Sequence, residues 1–453
     1  MKILYLPFET YVREFDSLFA LTIELSKVKK YDYIIVGNSF VLFLLAKLNL
    51  ICPGVWQLKS AQSYLSSHLY KLTKKGFKFT IHNAESLCTF DTKDRYDPFV
   101  HPKESLMSIN TVLTTNNKET EYLTDYINNN NLDTKILKLG NLRLSILKTQ
   151  IKASFYDEQF QYIKKHAGSK YILYNSTAGI KYHYNCITDV SKIRESLLHL
   201  GIIDSHVDDL ISWSDHSQIT LFCFLDFLRI FRNSELFKKY KIIFRPHPSE
   251  DKEFFIKLLA SFPNVIVDDN FSVIPWILYS SMVVGSTSTT LIESAFLRKP
   301  TFSLLPEYNN YLYNKLLEND SAKVSIIAKN SNDLFTHITS HLNQSENDDV
   351  LYNRALHIVG GDEEIFNNYI KFYTNIKVVD QLGFLNLFKS KTFMFTVNLT
   401  EILLKILLIF NYKPICYVFK KSKNIDKEFI FTKLKSLNYK TSIFKSILLI
   451  KLS

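Results

Sequence analysis

Ile242-Ile243-Phe244-Arg245-Pro246-His247-Pro248 and Met282-Val283-Val284-Gly285-Ser286-Thr287-Ser288-Thr289-Thr290-Leu291-Ile292-Glu293 decide the fold of this chain. Each stretch is a short apolar run, the mark of a buried strand, that breaks into a polar cluster. Open α/β sheets place their ligand sites at such strand ends. The second cluster reads as a turn that opens a helix, so its backbone N–H groups, its hydroxyls and the positive helix end together favour an anion such as phosphate. His247 is fixed between two prolines, whose rings restrict the backbone, and Arg245 adds charge beside it. A single Ser or Thr is enough to cap a helix. Five hydroxyl residues in a row exceed that need, and Glu293 two turns on reads as an acceptor for ribose hydroxyls or as a dipole-stabilising acid.

Outward from these stretches the same rhythm repeats. Tyr171–Tyr174, Lys241–Phe244, Asn264–Val267, Met282–Val284 and Thr301–Leu304 read as strands. Helices over 220–237, 252–261, 273–280 and 288–297 separate them, and a His-, Asp- and Ser-rich insertion over 180–217 interrupts the series. Earlier in the chain, Ile3–Leu6, Tyr33–Val36, Gly54–Gln57, Phe77–Thr80, Thr111–Thr114 and Lys135–Leu139 read as strands. Helices over 15–28 and 61–75 lie among them, and a polar helical linker over 148–169 follows. Alternating strands and helices predict parallel sheets. The length of 453 residues exceeds one ordinary core. The expectation is an α/β chain of GT-B architecture: two Rossmann-like domains facing across a cleft, 1–150 and 168–375, and a basic amphipathic helical tail, 376–453. The polar clusters of the second domain then predict a phosphorylated ligand, a nucleotide-activated sugar.

Composition narrows the classes. Five scattered cysteines without paired spacing suggest neither a zinc site nor a disulfide framework and fit a reducing cytoplasm. No Asp-x-Asp follows a candidate strand, so no metal and no cofactor is expected. Of the net charge of +11, the stretch from Ile376 to Ser453 carries +10, with fourteen Lys against four acids. A chain whose basic charge is confined to a tail is not read as a nucleic-acid binder. Apolar runs such as Ile406–Phe410 and Ile447–Ile450 among those lysines suggest peripheral attachment to an anionic inner-membrane surface, or a cap docked on the protein body. Lys47 and Lys405 interrupt the longest apolar runs, so no membrane span is expected.

Taken in order, several motifs resemble the bacterial surface carbohydrate biosynthesis proteins, glycosyltransferases of capsule and lipopolysaccharide loci. Leu6-Pro7-Phe8-Glu9 with Arg13-Glu14-Phe15-Asp16 is similar to that family's opening signature. Lys74–Phe77 leading into Ile81-His82-Asn83-Ala84-Glu85 matches its acidic stretch, with one acid of the usual pair and no glycine. Gly140-Asn141-Leu142-Arg143 stands for its Gly-Asn-Pro-Arg turn, with Leu142 for proline. The second domain matches in Arg245–Pro248, Ile274-Pro275-Trp276-Ile277, the Ser/Thr turn and Lys299-Pro300. The likeness spans roughly residues 2 to 310. The His-Pro and Ser/Thr pair is also similar to that of polysialyltransferases, capsule Kdo transferases and polyglycerolphosphate transferases, which use cytidine-nucleotide donors.

The resemblance implies a metal-independent inverting glycosyltransferase that moves a sugar, with a CMP-linked acidic sugar as first expectation, onto a surface glycan or glycolipid acceptor. Arg245, His247, Pro248, Ser286, Thr287, Ser288, Thr289, Thr290 and Glu293 would bind the donor. His247 would stabilise the leaving phosphate, and Glu85 would be the base unless it is a solvated loop acid. Glu9, Arg13 and Asp16 would orient the acceptor. A UDP-GlcNAc 2-epimerase-like enzyme and a catalytically silent scaffold of polysaccharide assembly are the alternatives.

Overall fold

The computed structural model describes residues 2–61, 65–83, 102–146, 156–177, 204–248, 250–307, 310–343, 349–360, 364–377, 440–444 and 447–451. The chain forms two Rossmann-like α/β units, as in the GT-B architecture: unit 1 is Met1–Phe155 with Val359–Ser453, and unit 2 is Tyr156–Ile358. The first break falls close to the expected linker. The chain returns to unit 1 at Val359, inside the span 168–375 expected for the second domain.

Unit 1 holds β1 (Ile3–Phe8), β2 (Tyr33–Asn38), β3 (Val55–Leu58), β4 (Lys78–His82), β5 (Ile109–Thr114) and β6 (Lys135–Lys138), and near the C-terminus β13 (Lys440–Phe444) and β14 (Ile447–Lys451). Their order across the sheet is β13-β14-β2-β1-β3-β4-β5-β6. The six strands β1 to β6 run parallel. Every residue of β1 and β2 is buried, as a parallel strand covered on both faces must be. Tyr5 stacks on Trp56 with ring centroids 5.0 Å apart, and Phe77 and Phe79 extend the same aromatic core. The last strands correct the helical expectation for 440–451: they form an antiparallel hairpin, with Leu449 paired to Ile35 of β2. Ile447–Ile450 is an unbroken apolar run, which helix and buried strand share, so periodicity alone could not decide between them. Residues 378–439 lie outside the described part.

Unit 2 holds β7 (Tyr171–Asn175), β8 (Lys241–Arg245), β9 (Val265–Val267), β10 (Met282–Gly285), β11 (Thr301–Leu304) and β12 (Ile326–Ala328), in the order β12-β11-β10-β7-β8-β9. All neighbours are parallel. Numbered within the unit this is the doubly wound order 3-2-1-4-5-6, whose reversal lies between β7 and β10. The helix Asp204–Arg232 covers one face. It begins well before the expected 220, inside the His-, Asp- and Ser-rich stretch read as an insertion; residues 178–203 lie outside the described part. Phe224, Phe227, Leu228 and Phe231, one helical stripe, are at most 2% exposed, and each Phe contributes roughly 2–3 kcal/mol by burial. Tyr174 stacks on Phe224 at 3.5 Å between centroids.

Candidate functional site

In unit 2 the carboxyl ends of β8, β7 and β10 stand side by side, with Asn175 opposite Arg245 across one strand pair. β7 therefore lies between the two motifs read from the sequence, and strand spacing puts Arg245 and Gly285 roughly 10 Å apart. The residue in the middle, Asn175, was missed. Its amide nitrogen donates to Ser288 Oγ at 3.4 Å and to Thr290 Oγ1. The signal was present in the sequence: Asn175-Ser176-Thr177 is a third polar cluster behind an apolar run.

Ser288 caps the helix Thr289–Phe296, its Oγ accepting from Thr290 N at 3.2 Å. Gly285 eases the close meeting of helix and strand, since a Cβ there would lie 3.2 Å from Leu291 Cδ2, a tight contact that the leucine would have to yield to. Ser303 Oγ donates to Ser286 O at 2.8 Å and holds the turn from below. The five hydroxyl residues consequently divide. Ser286 and Thr290 are buried in the support, and Thr287, Ser288 and Thr289 are half-buried at the helix mouth. Glu293 has no exposed surface.

His247 is half-buried, and buried Pro246 and half-buried Pro248 flank it. Its backbone is locked by a reciprocal pair that sequence reasoning also missed: His247 N donates to Glu250 Oε2 at 2.9 Å, and Glu250 N donates to His247 O at 2.8 Å. Arg245 is 6% exposed. Its guanidinium donates to Asn270 O at 2.9 Å and to Phe271 O at 2.5 Å, securing a loop in which Phe271 takes a left-handed φ of 61°. Trp276 Nε1 donates to Asn270 O at 2.8 Å, and Tyr162 OH donates to Asp268 Oδ2 at 2.9 Å in the same network. Burial, and then the bond to Asp268, raise the Tyr162 pKa. Two of the Arg245 N–H groups are thus spent on the scaffold.

In unit 1, Glu9 follows β1, and Arg13 and Asp16 lie half-buried on the first turns of the helix Tyr11–Val28. Glu9 N donates to Glu14 Oε2 at 2.8 Å, and Lys59 Nζ lies 3.3 Å from Glu9 and 3.5 Å from Glu14. Glu85 lies outside the described residues. The Gly140–Arg143 turn has Gly140 at φ 85° and Asn141 capping the helix Leu142–Ser145. Among the described residues no helix is long and apolar enough to cross a membrane.

No family model and no curated protein matches the sequence. Among solved structures, the chain is similar to the wall teichoic acid polymerase TagF with CDPG, at 14% identity and a TM-score of 0.48 over 82% of this chain and 87% of that one. It is similar to a putative UDP-N-acetylglucosamine 2-epimerase from Listeria monocytogenes at 11% identity and 0.48, over 84% and 99%. It is also similar to the UDP-GlcNAc 2-epimerase of Methanocaldococcus jannaschii in complex with UDP-GlcNAc and UDP, at 13% and 0.46, over 83% and 99%. At such identities the similarity is one of fold and extends to no residue.

Proposed function

We propose that the chain is a glycosyltransferase that binds a nucleotide-activated sugar through unit 2 and passes the sugar to a bacterial surface glycan precursor. The observation that supports this reading is that Asn175, His247 and the Thr287–Thr289 helix mouth follow the neighbouring strands β7, β8 and β10, where the unit 2 sheet reverses. Such a crevice suits phosphate: hydroxyls and amide N–H groups supply directed donors, and the imidazole supplies a further donor or a charge.

In an inverting transfer the acceptor oxygen attacks the anomeric carbon while the bond to the donor phosphate oxygen breaks. A base takes the acceptor proton, and the departing nucleotide gains negative charge. His247 and the helix mouth would stabilise that charge without a divalent ion. Removing one such donor costs roughly 10²–10³ in turnover. Glu85 remains the proposed base, and Glu9, Arg13 and Asp16 the proposed acceptor side. Arg245 acts in this reading by holding the 268–271 loop. The likeness of the His-Pro and Ser/Thr motifs favours a cytidine nucleotide, and the basic 376–453 stretch favours work at an anionic inner-membrane face.

Thermal unfolding of the full chain with CMP, CDP, UDP and GDP tests the reading. A cytidine nucleotide at about one hundred times its Kd should raise Tm by roughly 5–10 °C. The rise should survive EDTA and vanish in His247→Ala. Absence of a rise with all four nucleotides would sink the proposal, a rise that needs magnesium would remove its metal-independent form, and conversion of UDP-GlcNAc without any acceptor would reassign the chain as an epimerase.

A further inference from the structure

Unit 1 has a small cavity of its own, whose apolar wall includes Leu18 and Leu142. Pro7 of β1, Gln57 and Lys59 at the end of β3, His82 closing β4, and Glu14 and Ser17 of the helix Tyr11–Val28 line it. It sits at the carboxyl ends of β1, β3 and β4, next to the point where the unit 1 sheet order reverses between β1 and β3. Its polar lining is well buried: Glu14 is 7%, Gln57 5%, Ser17 5% and His82 3% exposed.

Three of these side chains are already held. Glu14 accepts from Glu9 N and faces Lys59, Gln57 Oε1 accepts from Tyr373 OH, and Ser17 Oγ donates to Glu14 O at 3.0 Å. His82 differs. Its ring packs edge-on against Tyr369 at 5.2 Å between centroids, and its buried Nε2 has no hydrogen-bond partner among the described residues. An orphaned buried nitrogen costs roughly 1–3 kcal/mol, so a fold that keeps one needs a reason. Burial also lowers the His82 pKa to about 3, so the ring is neutral and suits an uncharged partner. The cavity, about 20 Å³, exceeds the roughly 10–15 Å³ that one water-sized group needs and is far too small for a sugar ring.

We propose that this cavity seats a single hydroxyl group of a sugar or polyol ligand, hydrogen-bonded by His82 Nε2 and oriented by the Glu14–Lys59 wall. The inference rests on the reading of the chain as a sugar-transferring enzyme and gives unit 1 a recognition residue beyond Glu9, Arg13, Asp16 and Glu85. His82 is a positioning group for a ligand hydroxyl here, because so weakly basic a ring would hold a proton poorly.

The test uses the full chain with histidine labelled at ¹³Cε1, its His82 signal assigned by loss in His82→Phe, a change that keeps a ring against Tyr369. Glycerol and methyl glucoside are the probes. Both should shift the His82 signal in a saturable way, and His82→Phe should weaken methyl glucoside binding by roughly five- to a hundredfold, with partial recovery in His82→Gln. Ser17→Ala, which leaves the ring in place, should keep the saturable shift if His82→Phe fails to fold. A His82 signal that neither probe moves means that the cavity holds water alone and overturns the proposal. The nucleotide-induced rise in Tm should be unchanged in His82→Phe. Its absence in the unsubstituted chain would instead remove the transferase reading, so the two failures are distinguishable.

Discussion

Arg245 and His247 are two residues apart and do different work. The arginine, which its place in the sequence assigned to a phosphate, spends two N–H groups on Asn270 O and Phe271 O. Arg245→Ala would leave those carbonyls without charged donors at a cost of about 2 kcal/mol. Calorimetry should then show Tm of unit 2 falling by roughly 4–8 °C, with nucleotide affinity changing less than in His247→Ala. A second residue-scale expectation concerns pH. Burial lowers the pKa of His216 to about 4 and that of His82 to about 3, whereas an unfolded histidine titrates near 6.5. Above pH 6.5 both states are neutral and nothing is lost. Below it the unfolded chain takes up protons that the folded chain refuses, so stability falls by about 1.4 kcal/mol per histidine per pH unit until the folded pKa is reached. Denaturant titrations at pH 7.5 and 5.5 should therefore differ, and His216→Gln should flatten the difference. Neither histidine's environment was legible in the sequence, because burial depends on residues far along the chain, such as Tyr369 beside His82. His247, by contrast, announced itself through the strand before it and the prolines around it.

At the scale of elements, strands were legible where a short apolar or alternating run stopped at a polar cluster, and this recovered β1 to β11. β12, Ile326–Ala328, was not read. Strand order was hidden too. No local pattern says that β7 separates β8 from β10, which is why Asn175 went unread. The C-terminal hairpin shows the other failure, a run of apolar residues whose partner decides its state. By pairing with β2 it covers an edge that would otherwise present unpaired N–H and C=O groups. Leu449→Pro would remove a ladder donor opposite Ile35 and break β14. Light scattering should then show concentration-dependent association at temperatures where the unsubstituted chain stays dispersed.

For the whole molecule, unit 2 is an insertion in unit 1, and the chain comes back through Gly360. That glycine, at φ 93°, approaches so closely that a Cβ would lie 1.8 Å from Thr115 O. The returning helix Ile365–Asn375 places Tyr369 OH on Gly140 O at 3.1 Å and Tyr373 OH on Gln57, while Tyr31 OH donates to Tyr373 O at 2.7 Å. Sequence reading put this helix in the second domain because chain order was the only guide. A fragment of residues 156–358 should unfold cooperatively by itself and keep the nucleotide-dependent rise in Tm, and loss of cooperativity in that fragment would refute its independence. Residues 1–155 alone should not reach native stability. A ribosome therefore releases the amino-terminal lobe unfinished: at roughly 5–20 residues per second, about 10–45 s pass between Phe155 and Tyr373 of the returning helix, and the β13–β14 hairpin follows later still. During that interval part of its apolar interior stays uncovered and prone to association, whereas the inserted lobe can mature as it emerges.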